Sequence, residues 1–147
     1  MQITGNHIID CALVAWFLAQ VIKVVLDLIL TRKFDWHRFV SSGGMPSSHS
    51  SFVVACTTAV ARTEGLASPL FGVCVVIAAV VMYDACNVRR SAGDTAKLVN
   101  QLRRRVEKLT AEDVADDLKI IMGHTPLQVL MGALLGILLA VCIYGFS

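Results

Sequence analysis

The sequence has little charge, and its charges do not form the patterns that bind nucleic acid. Only 16% of its 147 residues are charged, against about a quarter in an average soluble domain. The net charge is +2, and no run of lysine or arginine is interleaved with aromatic residues, so no nucleic-acid partner is expected. Hydrophobic residues make up 56% of the chain, which is typical of a membrane protein.

The sequence also lacks the cysteine spacing of a metal or disulfide site. It contains no Cys-x-x-Cys motif and no Cys/His pair at ligand spacing. Most of its cysteines lie within apolar stretches, so we interpret them as small packing residues: Cys11, Cys56, Cys74, Cys86 and Cys142. No lysine or arginine precedes Lys23, whereas a cleaved signal peptide has a positive segment before its apolar core. The first apolar segment is therefore expected to remain as a span.

Apolar segments predict an all-α, polytopic membrane bundle in which residues 1–147 form a single membrane domain. About 20 residues cross the hydrocarbon core as a helix, and about four such segments are present: residues 8–30, 46–61, 66–84 and 126–146. The segment 46–61 is the weakest because it includes His49 and several serines. It is either a full span or a partly re-entrant one.

Two polar segments, residues 31–44 and 86–124, carry most of the basic residues. With four spans they lie on one side, and the positive-inside rule places them in the cytoplasm with both termini outside. Within a polar helical insertion at 92–122, a stripe at helical spacing predicts a cytosolic amphipathic helical hairpin: Leu98, Leu102, Val106 and Leu109. The expected membrane is a bacterial inner membrane or an organelle membrane.

The first candidate site is Gly-Gly-Met-Pro-Ser-Ser-His-Ser at residues 43–50. Pro46 suits the first turn of a helix, and a helix N-terminus favours anions through its unpaired N–H groups and dipole. Ser47 and Ser48 add hydroxyl donors, and His49 adds a group that titrates near neutrality. The segment predicts either a phosphate-binding turn or a capped helix start whose small residues serve packing.

The second candidate site is Gly-His-Thr-Pro at residues 123–126. Gly123 suits the end of one helix, Thr125 can cap the next, and Pro126 suits its first position. His124 can therefore act at the mouth of the last span, as a nucleophile toward phosphorus or as a general base. Considered alone, this histidine is better explained as an interfacial residue that faces water.

A third set of candidates consists of charged residues near the ends of spans. Arg89 and Arg90 either clamp phosphate oxygens or anchor the cytoplasmic end of the third span. Asp84 either orients an arginine or histidine, or holds a divalent cation such as Mg²⁺ together with Asp94. No other cofactor is expected.

Lys23 lies within the first span, with Asp27 one turn later and Arg32 beyond. A charge inside a span indicates either a functional site or an intrahelical pair whose lysine extends to the interface. In the four-span arrangement these cations and both histidine motifs reach the same membrane face. Phosphoryl transfer needs mainly positioning and charge neutralisation, and a site at the bilayer boundary suits a phosphate head with an apolar tail.

Five segments together resemble the divergent PAP2 family, which is related to acid phosphatases and vanadium-dependent haloperoxidases: Lys-Val-Val-Leu-Asp, Arg-Lys-Phe-Asp-Trp, Gly-Gly-Met-Pro-Ser-Ser-His-Ser, Asp-Ala-Cys-Asn-Val-Arg-Arg and Gly-His-Thr-Pro-Leu-Gln-Val. The resemblance implies a membrane phosphatase that hydrolyses a lipid or isoprenoid phosphate through a phosphohistidine. It makes His124 the nucleophile and His49 the general acid. The implied phosphate ligands are Lys23, Arg32, Ser47, Ser48, Arg89 and Arg90.

The sequence departs from the superfamily pattern at several positions. No proline follows Arg32, Ser48 replaces a glycine, Leu118 stands where an arginine is usual, and Gln128 replaces the aspartate that orients the nucleophile. The alternative function is therefore a lipid-phosphate-binding or assembly protein without the chemistry. The chain has fewer spans than the usual six, so a homodimer that completes the helical core is expected. Membrane lipids are the other expected partners.

Overall fold

The computed structural model describes residues 3–32, 44–110 and 123–144. Within these ranges the chain forms only helices: α1 (His7–Thr31), α2 (Ser48–Glu64), α3 (Pro69–Tyr83), a π-helix (Asp84–Val88), α4 (Arg89–Thr110) and α5 (Pro126–Tyr144). The predicted all-α membrane bundle is confirmed.

Three helical runs of the described residues are long and apolar enough to cross a membrane. They are His7–Thr31, Pro126–Ile143 and a continuous run, Pro69–Arg105, that passes from α3 through the π-helix into α4. The fourth predicted span, residues 46–61, corresponds to α2, which has 17 residues and is shorter than these three runs. Helix α2 packs against α1, α3 and α5, so its apolar neighbours shelter its serines and threonines.

Small residues allow α1, α2 and α5 to approach closely. The buried core consists of Cys11, Ala15, Ala55, Ala59 and Ala140. In α5, Gly132 and Gly136 face α2, and a Cβ atom added at Gly136 would lie 2.6 Å from the Ser51 carbonyl oxygen. Interfaces of this kind, with small residues spaced by four, drive helix association in membranes because the helices gain close van der Waals contact.

Polar contacts secure α1 at two depths. The Ser51 hydroxyl donates to the Ala15 carbonyl oxygen at 3.1 Å, which joins α2 to α1 within the core. Near the N-terminus, the buried Asp10 carboxylate accepts hydrogen bonds from the Ile3 and Thr4 backbone N–H groups and from the Thr4 hydroxyl. These contacts satisfy a carboxylate that would otherwise be costly inside a span.

One predicted helix start was wrong. Pro46 does not lie in the first turn of α2, because Ser47 is the N-cap and the helix begins at Ser48. Residues 92–110 of the predicted polar insertion lie in α4, which continues without a break from α3 through the π-helix. The predicted helical stripe at 98–109 lies within α4, and the second helix of the predicted hairpin falls outside the described residues.

Candidate functional site

The two histidine motifs meet at one end of the bundle, where α2 and α5 begin. The Ser47 N–H donates to the Gln128 carbonyl oxygen at 3.0 Å, which ties the start of α2 to the first turn of α5. The His124 N–H donates to the Ala85 carbonyl oxygen at 3.0 Å, which ties the start of α5 to the π-helix. Such π-helical turns occur frequently at functional sites.

His49 and His124 form a pair. Their ring centroids lie 6.4 Å apart, and the ring planes are inclined by 59°. His124 is 1% exposed, whereas His49 is half-buried in the first turn of α2. The two imidazoles therefore lie at one site, at the first turns of two neighbouring helices. The structure therefore brings together the two residues predicted to be catalytic.

Lys23 lies beside the loop that enters α2. It is only 3% exposed, so its side chain is buried within the protein. A Cβ atom added at Gly44 would lie 3.0 Å from Lys23 Cγ, and Gly44 has a φ of +100°. Glycine is thus needed at this position both for the left-handed backbone and for the space that the lysine occupies. The lysine side chain therefore lies against the turn that enters α2.

The serines of the first candidate site, residues 43–50, cap and begin α2. Ser47 is fully buried and caps α2, and its hydroxyl oxygen accepts from the Ser50 N–H at 3.4 Å and the Ser50 hydroxyl at 3.0 Å. Ser48 begins the helix and is also buried. The packing and capping interpretation is thus realised, and the same arrangement fixes the direction of the α2 N–H groups that would face an anion.

Gln128 occupies the position where the superfamily pattern has the aspartate that orients the nucleophile. Its Oε1 lies 3.3 Å from His124 Nδ1 and accepts from the Thr125 N–H at 3.0 Å. The Gln128 N–H in turn donates to the Thr125 hydroxyl at 3.4 Å, which completes a capping box. The aspartate of the superfamily pattern is absent, and the Gln128 amide oxygen lies beside His124 Nδ1 in its place. The Thr-x-x-Gln spacing carried this signal in the sequence.

The other predicted phosphate ligands take varied positions. Arg32 is the C-cap of α1 with a φ of 53°, and it is exposed. It ends the helix about 13 Å beyond Lys23 along the axis. Arg89 and Arg90 begin α4 directly after the π-helix, and the structure describes their backbone. The structure thus brings Lys23 to the turn that enters α2 but leaves Arg32 at the exposed end of its helix.

Asp84 and Asp94 do not meet. Asp84 begins the π-helix, and Asp94 lies in α4 and pairs with Lys97 at 3.1 Å. They are ten positions apart along the helix, roughly 15 Å along its axis, so one cation cannot bind both in this arrangement. Across residues 3–32, 44–110 and 123–144, no group of three or more histidine, cysteine or acidic residues could hold a metal ion.

Gln20 is a buried polar residue that sequence reasoning missed. It is 6% exposed, lies one turn before Lys23 in α1, and its Oε1 has no hydrogen-bond partner among the described residues. The signal was present in the sequence as a lone amide in an apolar span. Buried polar side chains in spans mark substrate or ion sites because their desolvation is costly.

The fold and the site define a class, namely a helical membrane protein with paired histidines at two helix N-termini. The chain belongs to the divergent PAP2 family, whose sequence pattern matches residues 4–139. It is 39% identical over 156 aligned positions to the protein named "Uncharacterized membrane protein YuiD" of Bacillus subtilis (strain 168), with 99% of each chain covered. No solved structure matches the chain.

Proposed function

We propose that this protein is an integral membrane phosphatase that hydrolyses a lipid or isoprenoid phosphate through a histidine nucleophile. The observation that carries the proposal is the His49–His124 pair, with ring centroids 6.4 Å apart at the starts of two helices. Two imidazoles at this separation can act on opposite sides of one phosphoryl group. The helix N-termini and the buried Lys23 supply the positive potential that phosphate requires.

In the proposed mechanism, a His124 ring nitrogen attacks phosphorus and forms a P–N bond. The P–O bond to the alcohol breaks, and His49 donates its proton to the leaving oxygen. His49 then removes a proton from a water molecule, which attacks the phosphohistidine, breaks the P–N bond and releases inorganic phosphate. Lys23 and the N–H groups of α2 stabilise the charge on the equatorial oxygens, with Arg89 and Arg90 as further candidates.

The proposed site opens to the cytosol. The basic residues of the segments at 31–44 and 86–124 favour this orientation, with both termini outside. Because the site lies where apolar helices begin, a substrate could keep its apolar chain in the bilayer while its phosphate reaches the histidines. We expect the host membrane to be a bacterial inner membrane or an organelle membrane, and membrane lipids to be the immediate partners.

The test is phosphate release from a panel of lipid phosphates and isoprenoid mono- and diphosphates, using protein purified in detergent. His124→Asn and His49→Asn should each reduce turnover by about 10²-fold or more, because acid–base and nucleophilic groups contribute at least that much. His7→Asn is the matched control, since His7 begins α1 at the opposite end of the bundle and is exposed. Equal activity of the wild type and His124→Asn on every substrate would refute the proposal.

A second candidate is a non-catalytic protein that binds lipid phosphates or assists assembly. The replacement of the superfamily aspartate by the neutral Gln128 beside His124 favours it. Saturable binding of a lipid phosphate without turnover would support this candidate. A chelator arm in the same assay tests the divalent-cation alternative, and light scattering of the purified protein tests the proposed homodimer.

A further inference from the structure

The amide of Gln128 is held in one orientation by the backbone. Its Oε1 accepts the Thr125 N–H at 3.0 Å. Because an N–H group donates only to an acceptor, this contact requires the oxygen of the amide, and not its NH₂ group, at that position. The same oxygen lies 3.3 Å from His124 Nδ1. An amide oxygen carries no hydrogen, so Nδ1 must be the donor in this contact.

We propose that Gln128 is a positioning residue that holds His124 in the Nδ1–H tautomer. In that tautomer the lone pair lies on Nε2, so Nε2 is the nitrogen that attacks phosphorus. The inference rests on the proposed function for its catalytic meaning, but the tautomer itself is a property of the resting protein. A neutral amide thus performs the orienting role without adding a negative charge beside the phosphate.

The neutrality of Gln128 has a chemical consequence. A carboxylate within about 4 to 6 Å favours the protonated imidazolium, which has no lone pair for attack. An amide oxygen accepts the same hydrogen bond from the ring without favouring its protonation, so the ring stays neutral to a lower pH than it would beside a carboxylate. It also avoids repulsion between a carboxylate and the anionic substrate in a site whose counter-charges include the buried Lys23.

A simpler interpretation is that Gln128 only completes the capping box of α5. The two interpretations can be separated because the variants act on them differently. Gln128→Glu keeps a capping-box acceptor but introduces a charge. Gln128→Met keeps the length of the side chain and removes the acceptor. Thr125→Ala removes the hydroxyl that caps the Gln128 N–H but keeps the backbone N–H that orients Oε1.

The direct test is ¹⁵N NMR of histidine-labelled protein in detergent, with the His124 signals assigned from their absence in His124→Asn. The wild type and Thr125→Ala should both show the Nδ1–H tautomer for His124, whereas Gln128→Met should show a mixture. An Nε2–H tautomer in the wild type, or identical spectra of the wild type and Gln128→Met, would overturn the inference. This readout does not depend on turnover.

Turnover supplies the second test. Gln128→Met should lower kcat by roughly 10- to 100-fold with little change in KM, the size of effect expected when an orienting partner is lost. Thr125→Ala should retain most of the activity even if its thermal stability falls as much as that of Gln128→Met. Equal losses of kcat in the two variants would show that Gln128 acts only as a cap. If NMR shows the predicted tautomer but no substrate turns over, the proposed function fails while the positioning role stands.

The pH profile gives a third readout. The acid limb of kcat/KM should move to higher pH by about 1 to 3 units in Gln128→Glu. Titratable groups on the neighbouring elements include His49 on α2, Lys23 on α1, and Asp84 and Cys86 on the π-helix, and the variant leaves them unchanged. Gln101→Glu, on an exposed position of α4, is the control and should leave the profile in place. An unshifted profile in Gln128→Glu would contradict the contact with His124.

Discussion

The close approach of α5 to α2 makes a quantitative prediction for Gly136→Ala. The added Cβ atom would lie 2.6 Å from the Ser51 carbonyl oxygen and 2.9 Å from the Ala55 nitrogen. Both atoms belong to the backbone of α2, so neither can rotate away. Ordinary van der Waals contact begins at 3.4 Å, so the two helices must separate by about 0.8 Å. Overpacking of this kind costs about 1 to 3 kcal/mol.

The matched control is Gly72→Ala in α3. A Cβ atom added there would meet nothing within 4 Å. Both variants make the same change in a helix, so the gain of about 1 kcal/mol in helix propensity cancels between them. The free energy of unfolding should therefore be lower for Gly136→Ala than for Gly72→Ala by about 1 to 3 kcal/mol.

The free energies can be measured by circular dichroism as the mole fraction of sodium dodecyl sulfate is raised in mixed micelles. If Gly136→Ala and Gly72→Ala unfold at the same mole fraction, the α2–α5 packing described above is incorrect. Gly132→Ala extends the test to the site. Its Cβ atom would overlap the Ser47 carbonyl oxygen, so it should displace the start of α2 and reduce turnover by more than its stability loss explains.

Two further predictions concern buried charges at opposite ends of α1. Lys23→Met should raise KM by about tenfold or more, because a charge-assisted hydrogen bond contributes about 1.5 to 3 kcal/mol. Substrate titration measures KM, with Lys97→Met at an exposed position as the control, and equal KM values in the two variants would contradict a role for Lys23 in phosphate binding. Asp10→Ala should lower the free energy of unfolding by about 1 to 3 kcal/mol, because it leaves the N–H groups of Ile3 and Thr4 without their acceptor. The same denaturation assay measures this loss, and wild-type stability of the variant would contradict a stabilising role for these hydrogen bonds.

The sequence alone predicted the features that depend on local pattern. Apolar stretches of helical length revealed the spans, and Thr125 and Pro126 revealed the start of α5 because capping is a property of neighbouring residues. The proximity of His49 and His124 followed from topology, since two helices that begin on the same face bring their first turns together. These inferences needed no knowledge of side-chain contacts.

Other features depend on packing and could not be predicted in the same way. The central position of α2 arises from contact with three neighbours, and its own composition indicates only a weak span. The hydrogen bond from the His124 N–H to the Ala85 carbonyl oxygen joins the π-helix to the start of α5, two segments far apart in the sequence. From the sequence, Gln128 was interpreted as the loss of the aspartate that orients the nucleophile, because the superfamily pattern was compared with this chain by residue type alone. In the structure the Gln128 amide oxygen lies 3.3 Å from His124 Nδ1.

The proposed phosphohistidine can be tested most directly by rapid-quench trapping with a substrate that carries a labelled phosphate. We predict that label accumulates on the peptide containing His124 within the first turnover, with the acid lability and alkali stability of a P–N bond. His124→Asn should show no such label, and His7→Asn should behave as the wild type does. Release of labelled phosphate with no trapped intermediate, at the same rate in His124→Asn as in the wild type, would contradict the account.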